Sequence, residues 1–598
     1  MPARCAAAVL LAACSGAPPA PVAVAASGSV ALSGDGALAY VTDADGDALE
    51  VVELATGRVT ATLSIPGGPD GALVGPDETL YVTSRRGRTV SAFARGAWSH
   101  PARTATTCAE PSGLALVGTR LAVACFTAGR VAGLDAATFA PLWSSAVGRD
   151  PRALIALPDG RLVVGLFRSA TLVLLESAGG QIVGEAPLVA ADASGAAAFS
   201  PGLLGGLVSA RGRLIGLQLA GETSGFPVTP TGAYAGGGQS TPIAVPSLAT
   251  AGPDLAPRNG GPGELTTLLT PQGRAMSGAS ALAVDRQEAR LFVAFEHSGN
   301  LGVIALGGVG DPAAGAPVQS TPQLVDVGAG PRGIAVSANG RAVYVHAALD
   351  RVLVEVALED AGPRVVRRIP LGPSPLPPSV ERGRRLFMSA SDPRMTDPSL
   401  GGISCASCHP DGRDDGRTWT LPEGRRNTPS LAGRKLRATA PWHWDGALTS
   451  IHGFDAVVQG RMGGAGVGDD DLDAMFDYLD ALPPADNPHL GAGVSDAERA
   501  AQQRGAAVFA HANCAGCHAG AALTDNAFHD VGTLSAGERP HFSAGVNTPS
   551  LLSVFDTAPF LHDGSAPTLA AHLARGHGGS DALDAAARAD LAAYLLSL

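Results

Sequence analysis

Two pentapeptides carry the chemistry of this chain: Cys405-Ala406-Ser407-Cys408-His409 and Cys514-Ala515-Gly516-Cys517-His518. Two thiols with two residues between them, followed at once by an imidazole, are what covalent haem attachment demands. The sulfurs add to the two vinyl groups of the porphyrin, and the adjacent histidine faces the iron. Zinc is the rival for a CxxC pair. The histidine after each pair and the elements repeated downstream favour haem. A thioredoxin-like dithiol would need a strand–helix–strand context that the sequence lacks. The expectation is two covalent haems c, attached at Cys405, Cys408, Cys514 and Cys517, with His409 and His518 as proximal ligands.

The surroundings of the two motifs are an internal duplication. Asn427-Thr428-Pro429-Ser430-Leu431 recurs as Asn547-Thr548-Pro549-Ser550-Leu551, and Ala-Pro-Trp-His-Trp-Asp-Gly at 440–446 parallels Ala-Pro-Phe-Leu-His-Asp-Gly at 558–564. Arg461-Met462-Gly463-Gly464 parallels Gly576-His577-Gly578-Gly579, so Met462 and His577 occupy equivalent places, 53 and 59 residues beyond their proximal histidines. That length lets a loop pass beneath a haem and present a sixth ligand, which makes Met462 and His577 the candidate distal ligands. Thioether ligation raises a haem potential relative to bis-imidazole ligation, so Met462 would mark the first haem as the higher-potential one. His562 and His572 rival His577. His562 sits in an Asp-Gly turn and suits a contact to the haem edge or a propionate, as do His443 and His452 at the first site.

The elements that must position these residues fall into two textures. After Pro378, apolar residues recur at helical spacing over 380–388 and 496–509, which lead into the two motifs, and over 470–482 and 582–596, which close the two halves. This predicts two mainly α haem domains, 377–490 and 495–598. Before them, short apolar runs alternate with Gly- and Asp-rich turns. Val41, Val82, Val123 and Val163 are spaced 41, 41 and 40 residues apart, a period of propeller blades. The expected strands lie at 38–42, 80–83, 121–125, 162–166, near Leu207, 291–295 and 343–346. They predict an all-β propeller of about seven blades over 29–372. Residues 224–275, rich in Gly, Pro and Thr, break the period and are expected as an insertion loop between blades five and six. Tyr40-Val41-Thr42 and Tyr81-Val82-Thr83 resemble the YVTN-type propeller repeat.

With 598 residues the chain exceeds what one core can hold, and its formal net charge of -12 argues against a nucleic-acid partner. Residues 1–28 read as an export segment: Arg4, an apolar run, then Leu11-Ala12-Ala13-Cys14, which resembles a lipoprotein cleavage box with Cys14 as lipid anchor. This predicts a periplasmic or cell-envelope location, with the membrane reached only through that anchor. In an exported protein Cys108 and Cys125 could form a disulfide worth roughly 3 kcal/mol.

Residues 377–598 resemble the bacterial di-haem cytochrome c peroxidase and MauG-like family, on both CxxCH motifs and the duplicated segments. The resemblance implies that Trp444, in Trp-His-Trp-Asp-Gly, relays electrons between the haems. It implies a calcium ion between the halves, held by Asn427 and by the carbonyls of Thr557 and Pro559, an oxygen-only set that suits calcium. It also implies hydrogen peroxide as substrate and a small redox protein, a cytochrome or cupredoxin, as partner. The departures are specific. The stretch 451–462 lacks the family's glutamate, and Gln459 is shifted. No histidine lies between Pro410 and Trp442, and His577 falls one residue off the family's second distal ligand. Three functions remain open: a peroxidase-type oxidoreductase, an electron carrier with both irons six-coordinate, and a propeller-based binding or oxidising protein with the haems as electron outlet.

Overall fold

The computed structural model describes residues 27–188, 190–191, 198–199, 202–221, 244–255, 265–267, 274–306, 321–398, 402–421, 424–491 and 493–598. The export segment and Cys14 lie outside the described residues. Six of the expected apolar runs each form the second strand of a four-stranded antiparallel sheet: Leu38–Asp43, Leu80–Ser84, Arg120–Cys125, Arg161–Leu166, Arg290–Phe295 and Ala342–Ala347. A neighbouring blade covers each face of these strands, so they read as continuous apolar runs rather than alternating ones. Val41, Val82, Val123 and Val163 share one place in this layer and are fully buried. The fourth strands, such as Pro141–Ala146 and Ile182–Pro187, alternate exposed and half-buried residues at the rim.

Seven four-stranded sheets follow one another from Val30 to Pro370 and form a seven-bladed β-propeller. Each blade is one consecutive stretch of chain. The ring closes by packing: Val30, Val41 and Val52 of blade one meet Tyr344, Leu353 and Ile369 of blade seven, and Arg351 of blade seven pairs with Asp43 at 2.6 Å. Cys108 and Cys125 form the disulfide in blade three. Blade five differs from expectation. Leu207 lies in its first strand, Leu204–Ala210, and the second strand is Arg213–Gly221. Within the expected insertion 224–275, the described stretches Ala244–Ala251 and Leu265–Thr267 are the third and fourth strands of blade five, and 224–243, 256–264 and 268–273 lie outside the described residues. Pro246, Ser247 and the small residues around them hide this strand from a reading based on β-propensity.

The chain leaves the propeller at Pro370 and enters α1 (Pro378–Met388). The first haem half adds α2 (Cys405–Cys408), α3 (Phe454–Met462) and α4 (Asp469–Ala481); the second contains α5 (Asp496–His511), α6 (Leu569–Leu573) and α7 (Ala585–Leu596). α1 crosses α4 and α5 crosses α7. Both crossings are set by a glycine: a Cβ on Gly383 would stand 1.8 Å from the Ala474 carbonyl, and one on Gly505 2.0 Å from that of Asp590. No helix among the described residues is long and apolar enough to cross a membrane.

The first haem half docks on the propeller through the segment that follows its CxxCH. Asp411 receives Arg85 and Arg332 at 3.3 Å and Arg152 at 3.6 Å, from blades two, seven and four. Glu110, at the start of blade three, receives Arg85 at 2.6 Å, Arg413 of the haem half, and the Asp486 amide at 2.9 Å. A cavity of about 680 Å³ lies between the propeller channel and this haem half, with Asp70, His297, Ala406 and Ser407 among its walls. Burial alone would raise the Glu110 carboxyl, but Arg85 and Arg413 hold it at about 2, below its ordinary 4.5. A carboxyl depressed in the folded state contributes stability that is present above its unfolded pKa and lost as pH falls toward the folded one. Glu110 therefore contributes roughly 3 kcal/mol near neutrality, lost between about pH 5 and pH 2. Unfolding measured against pH should show Glu110→Gln destabilised by about that amount at pH 7, with a shallower decline in acid than the wild type.

Candidate functional site

Each CxxCH sits where a helix start presents its residues in fixed directions. Ser404 is the N-cap of α2, its amide donating to Ser407 Oγ at 3.1 Å, and its Oγ lies 3.0 Å from His297 Nδ1 of blade six, so the propeller itself braces the first attachment helix. The four motif cysteines are unbridged. Burial pushes the Cys405 thiol up to about 12 and raises Cys408, Cys514 and Cys517 as well. Protonated thiols of this kind are the opposite of the activated thiolates of a redox dithiol.

Burial also lowers the imidazoles, His409 to about 4 and His518 below its usual value. Both stay neutral, the form that can ligate iron. The backbone of Pro429 lies near His409 and that of Pro549 near His518, and His518 Nδ1 stands 3.3 Å from the Leu523 carbonyl. The two attachment sites differ in cover. Ala406 and Ser407 are buried against the propeller, whereas Ala515, Gly516 and Gly520 are exposed.

His577 lies opposite His518, with ring centroids 6.4 Å apart. Two imidazoles each bound through one nitrogen at about 2 Å to a shared metal would stand at close to this separation. The His577 Nδ1 is buried without a hydrogen-bond partner, and His572 packs at 4.5 Å from the same ring. Met462 is buried at the end of α3 in the first half's core, together with Met395, Met475, Ala406 and Cys405. His452 is half exposed beside Asp469 and Asp473. His443 packs edge-on against Phe454 at 6.0 Å.

The halves meet through reciprocal contacts. Asn427 donates its side-chain amide to the Pro559 carbonyl and Asn547 to the Pro441 carbonyl, both at 2.5 Å. Both prolines follow cis peptide bonds. The Asn427 amide N–H donates to the His562 carbonyl at 2.7 Å and that of Asn547 to the Trp444 carbonyl at 2.8 Å. Trp444 and His562 therefore hold equivalent places in the interface. The Trp444 indole donates to the Asn427 carbonyl at 2.8 Å and packs with Leu534, Phe542 and Val546 of the other half. Thr557 directs its hydroxyl to the Val554 carbonyl, two residues before Pro559 on the same loop.

His562 is buried, unlike a residue of a surface turn. Its Nε2 lies 3.3 Å from Glu538, which also pairs with Arg426 at 3.0 Å, and Arg426 lies over the Phe542 ring. Sequence reasoning missed Glu538 and Arg426. The available signal was length: 29 residues separate His518 from Asn547, against 18 between His409 and Asn427, and the extra loop carries Glu538 and Phe542.

The donor chemistry fits covalent haem: free paired thiols, neutral buried imidazoles next to them, and a second imidazole across from His518. Residues 502–598 match the cytochrome c family. The methylamine utilization protein MauG of Methylorubrum extorquens is 28% identical over 253 residues, 33% of this chain and 68% of that protein. That of Methylophilus methylotrophus is 29% identical over 247 residues, 32% of this chain and 72% of its own length. A solved structure of Kuenenia stuttgartiensis hydrazine synthase covers 56% of this chain and 94% of its own at a TM-score of 0.45 and 15% identity. The chain joins a seven-bladed propeller to a C-terminal part similar to cytochrome c and to MauG, and these likenesses point to haem-based electron transfer of the oxidoreductase type.

Proposed function

We propose that the chain is an exported di-haem oxidoreductase that moves electrons between two covalent haems and reduces hydrogen peroxide at one of them. The observation that carries this is the reciprocal joint of the two halves, with the Trp444 indole held inside it by Asn427. When bound, the haems supply one-electron iron couples and, wherever a sixth position opens, a place for peroxide. Cys405, Cys408, Cys514 and Cys517 would fix them, and His409 and His518 would hold the proximal side. Trp444 bridges the two halves. His562 and Glu538 form an imidazole–carboxylate pair in the same interface.

The exposed attachment face of the second half, at Ala515, Gly516 and Gly520, suits a small redox protein, whereas the first is covered. For calcium, the Asn427 side chain and the Pro559 carbonyl converge, and the amide oxygen and nitrogen can exchange places by a flip. The same contact recurs at Asn547 and Pro441. The electron-carrier reading also has an observation in its favour: His577 stands where it would saturate the second centre. In this reading the lipid anchor at Cys14 would hold the protein in the cell envelope.

Cys405→Ser with Cys408→Ser should remove half of the covalent haem stain from denatured protein, and Cys514→Ser with Cys517→Ser the other half. His577→Gly should open the second centre, visible as cyanide binding and as increased peroxide reduction with a dye donor. Turnover should still fall short of a full acid–base site, which contributes about 10²–10⁴-fold. If neither His577→Gly nor Met462→Ala raises turnover or cyanide binding, the electron-carrier reading stands. Metal analysis of protein prepared without chelator should find one calcium per chain, abolished by Asn427→Ala and retained in Asn547→Ala.

A further inference from the structure

One guanidinium joins all three parts of the molecule. Arg168 lies at the turn between the second and third strands of blade four, and its side chain is 6% exposed. Its Nε donates to the Asp414 carbonyl at 2.9 Å and its Nη2 to the Asp414 carboxylate at 3.4 Å, both in the first haem half. Nη1 and Nη2 grip the Asp556 carboxylate of the second half at 3.1 and 3.2 Å, and Nη1 also reaches Asp150 of its own blade at 2.7 Å. An arginine has five N–H donors in a fixed fork. Here one serves the propeller, two the first half and two the second.

The neighbouring Arg149 donates to the carbonyls of Asp556 and Ala558. These residues open the loop that ends in Pro559, whose carbonyl receives the Asn427 amide, and Asn427 in turn accepts the Trp444 indole. A continuous path of bonded groups thus runs from blade four to Trp444. It is specific to one copy of the duplication. Ala438 stands where the second half has Asp556, and Leu523 stands five residues after the second proximal histidine where Asp414 follows the first.

We propose that blade four sets the spacing and orientation of the two haem halves, with Arg168 as the positioning residue that fixes Asp556 against Asp414. This rests on the reading that electrons pass between the two haems. A lysine keeps the charge but offers three donors from a single point, so it cannot hold both carboxylates in register.

The test uses full-length protein with both haems in place. Electrons are injected in sub-stoichiometric amount from photoexcited tris-bipyridyl ruthenium, and equilibration between the haems is followed optically. Redox titration, covalent haem content and thermal melting are measured in parallel. Arg168→Lys and Asp556→Asn are compared with Arg384→Met, which removes an ion pair between α1 and Asp45 of blade one. The expected result is full haem content in all three, but equilibration slowed at least severalfold in Arg168→Lys and Asp556→Asn alone. Equilibration at the wild-type rate in both variants would overturn the proposal. So would a slowing that also appears in Arg384→Met and merely follows lost melting temperature, since that marks general destabilisation. If the wild type itself shows no exchange between its haems, the underlying reading falls, and the positioning role with it.

Discussion

Asn427 gives its side-chain amide to a carbonyl of the opposite half, and Asn547 returns the same bond. Buried polar groups must be paired, and these can be paired only across the interface, because each Thr-Ala-Pro loop ends on a carbonyl that its own half does not use. Parting the halves would orphan both amides and both carbonyls together. The same rule places Trp444 and His562. Their carbonyls accept the two asparagine N–H groups, so an indole and an imidazole stand at matching points of one joint. The duplication supplies the symmetry, and its divergence supplies the chemistry: an oxidisable ring on one side, an imidazole–carboxylate pair on the other.

The propeller joint follows a different logic. Buried ion pairs give little net stability against well-packed apolar residues, but a buried charge left without its partner is strongly disfavoured. Asp411 among Arg85, Arg152 and Arg332, and Asp556 within reach of Arg168, Arg149 and Arg413, therefore enforce one docking geometry more than they strengthen it. The charged loop that follows a proximal histidine is found in one half only. The segment after the first proximal histidine reads Pro410-Asp411-Gly412-Arg413-Asp414-Asp415-Gly416-Arg417, whereas the equivalent stretch after the second begins Ala519-Gly520-Ala521-Ala522-Leu523. The first half carries the acid that meets three propeller arginines, and the second reaches the propeller through Asp556.

Much of this was legible because local rules govern it. CxxCH is a covalent demand, and strands buried on both faces must be apolar at a constant spacing, so Val41, Val82, Val123 and Val163 reveal their blades. Blade five was illegible where Pro246 and Ser247 occupy a third strand held by its neighbours rather than by its own propensity. The interdomain network was hidden for another reason. A run such as Arg413 to Arg417 looks like any solvated loop until the propeller covers it, and the partners of Asp411 are spread from Arg85 to Arg332. Comparing the two copies carries the missing signal, since acidic residues present in one and replaced by alanine or leucine in the other mark a surface that only one half must bury.

That asymmetry bears on how the two centres would differ. The first attachment helix is walled in by blade six, through His297 on Ser404, while the second lies open at Ala515 and Gly516. Solvent exposure is one of the terms that sets a haem potential, because a desolvated site disfavours the more highly charged oxidised iron. With a haem bound there, the cover over the first half would raise its potential, and thioether ligation by Met462 would act in the same direction. Paired imidazoles at an exposed second centre would lower the other. In the proposed reading electrons entering at the open face would run downhill through Trp444 toward the covered centre. The propeller would then do more than hold the halves in register: by excluding water from one of them, it would give the relay its direction.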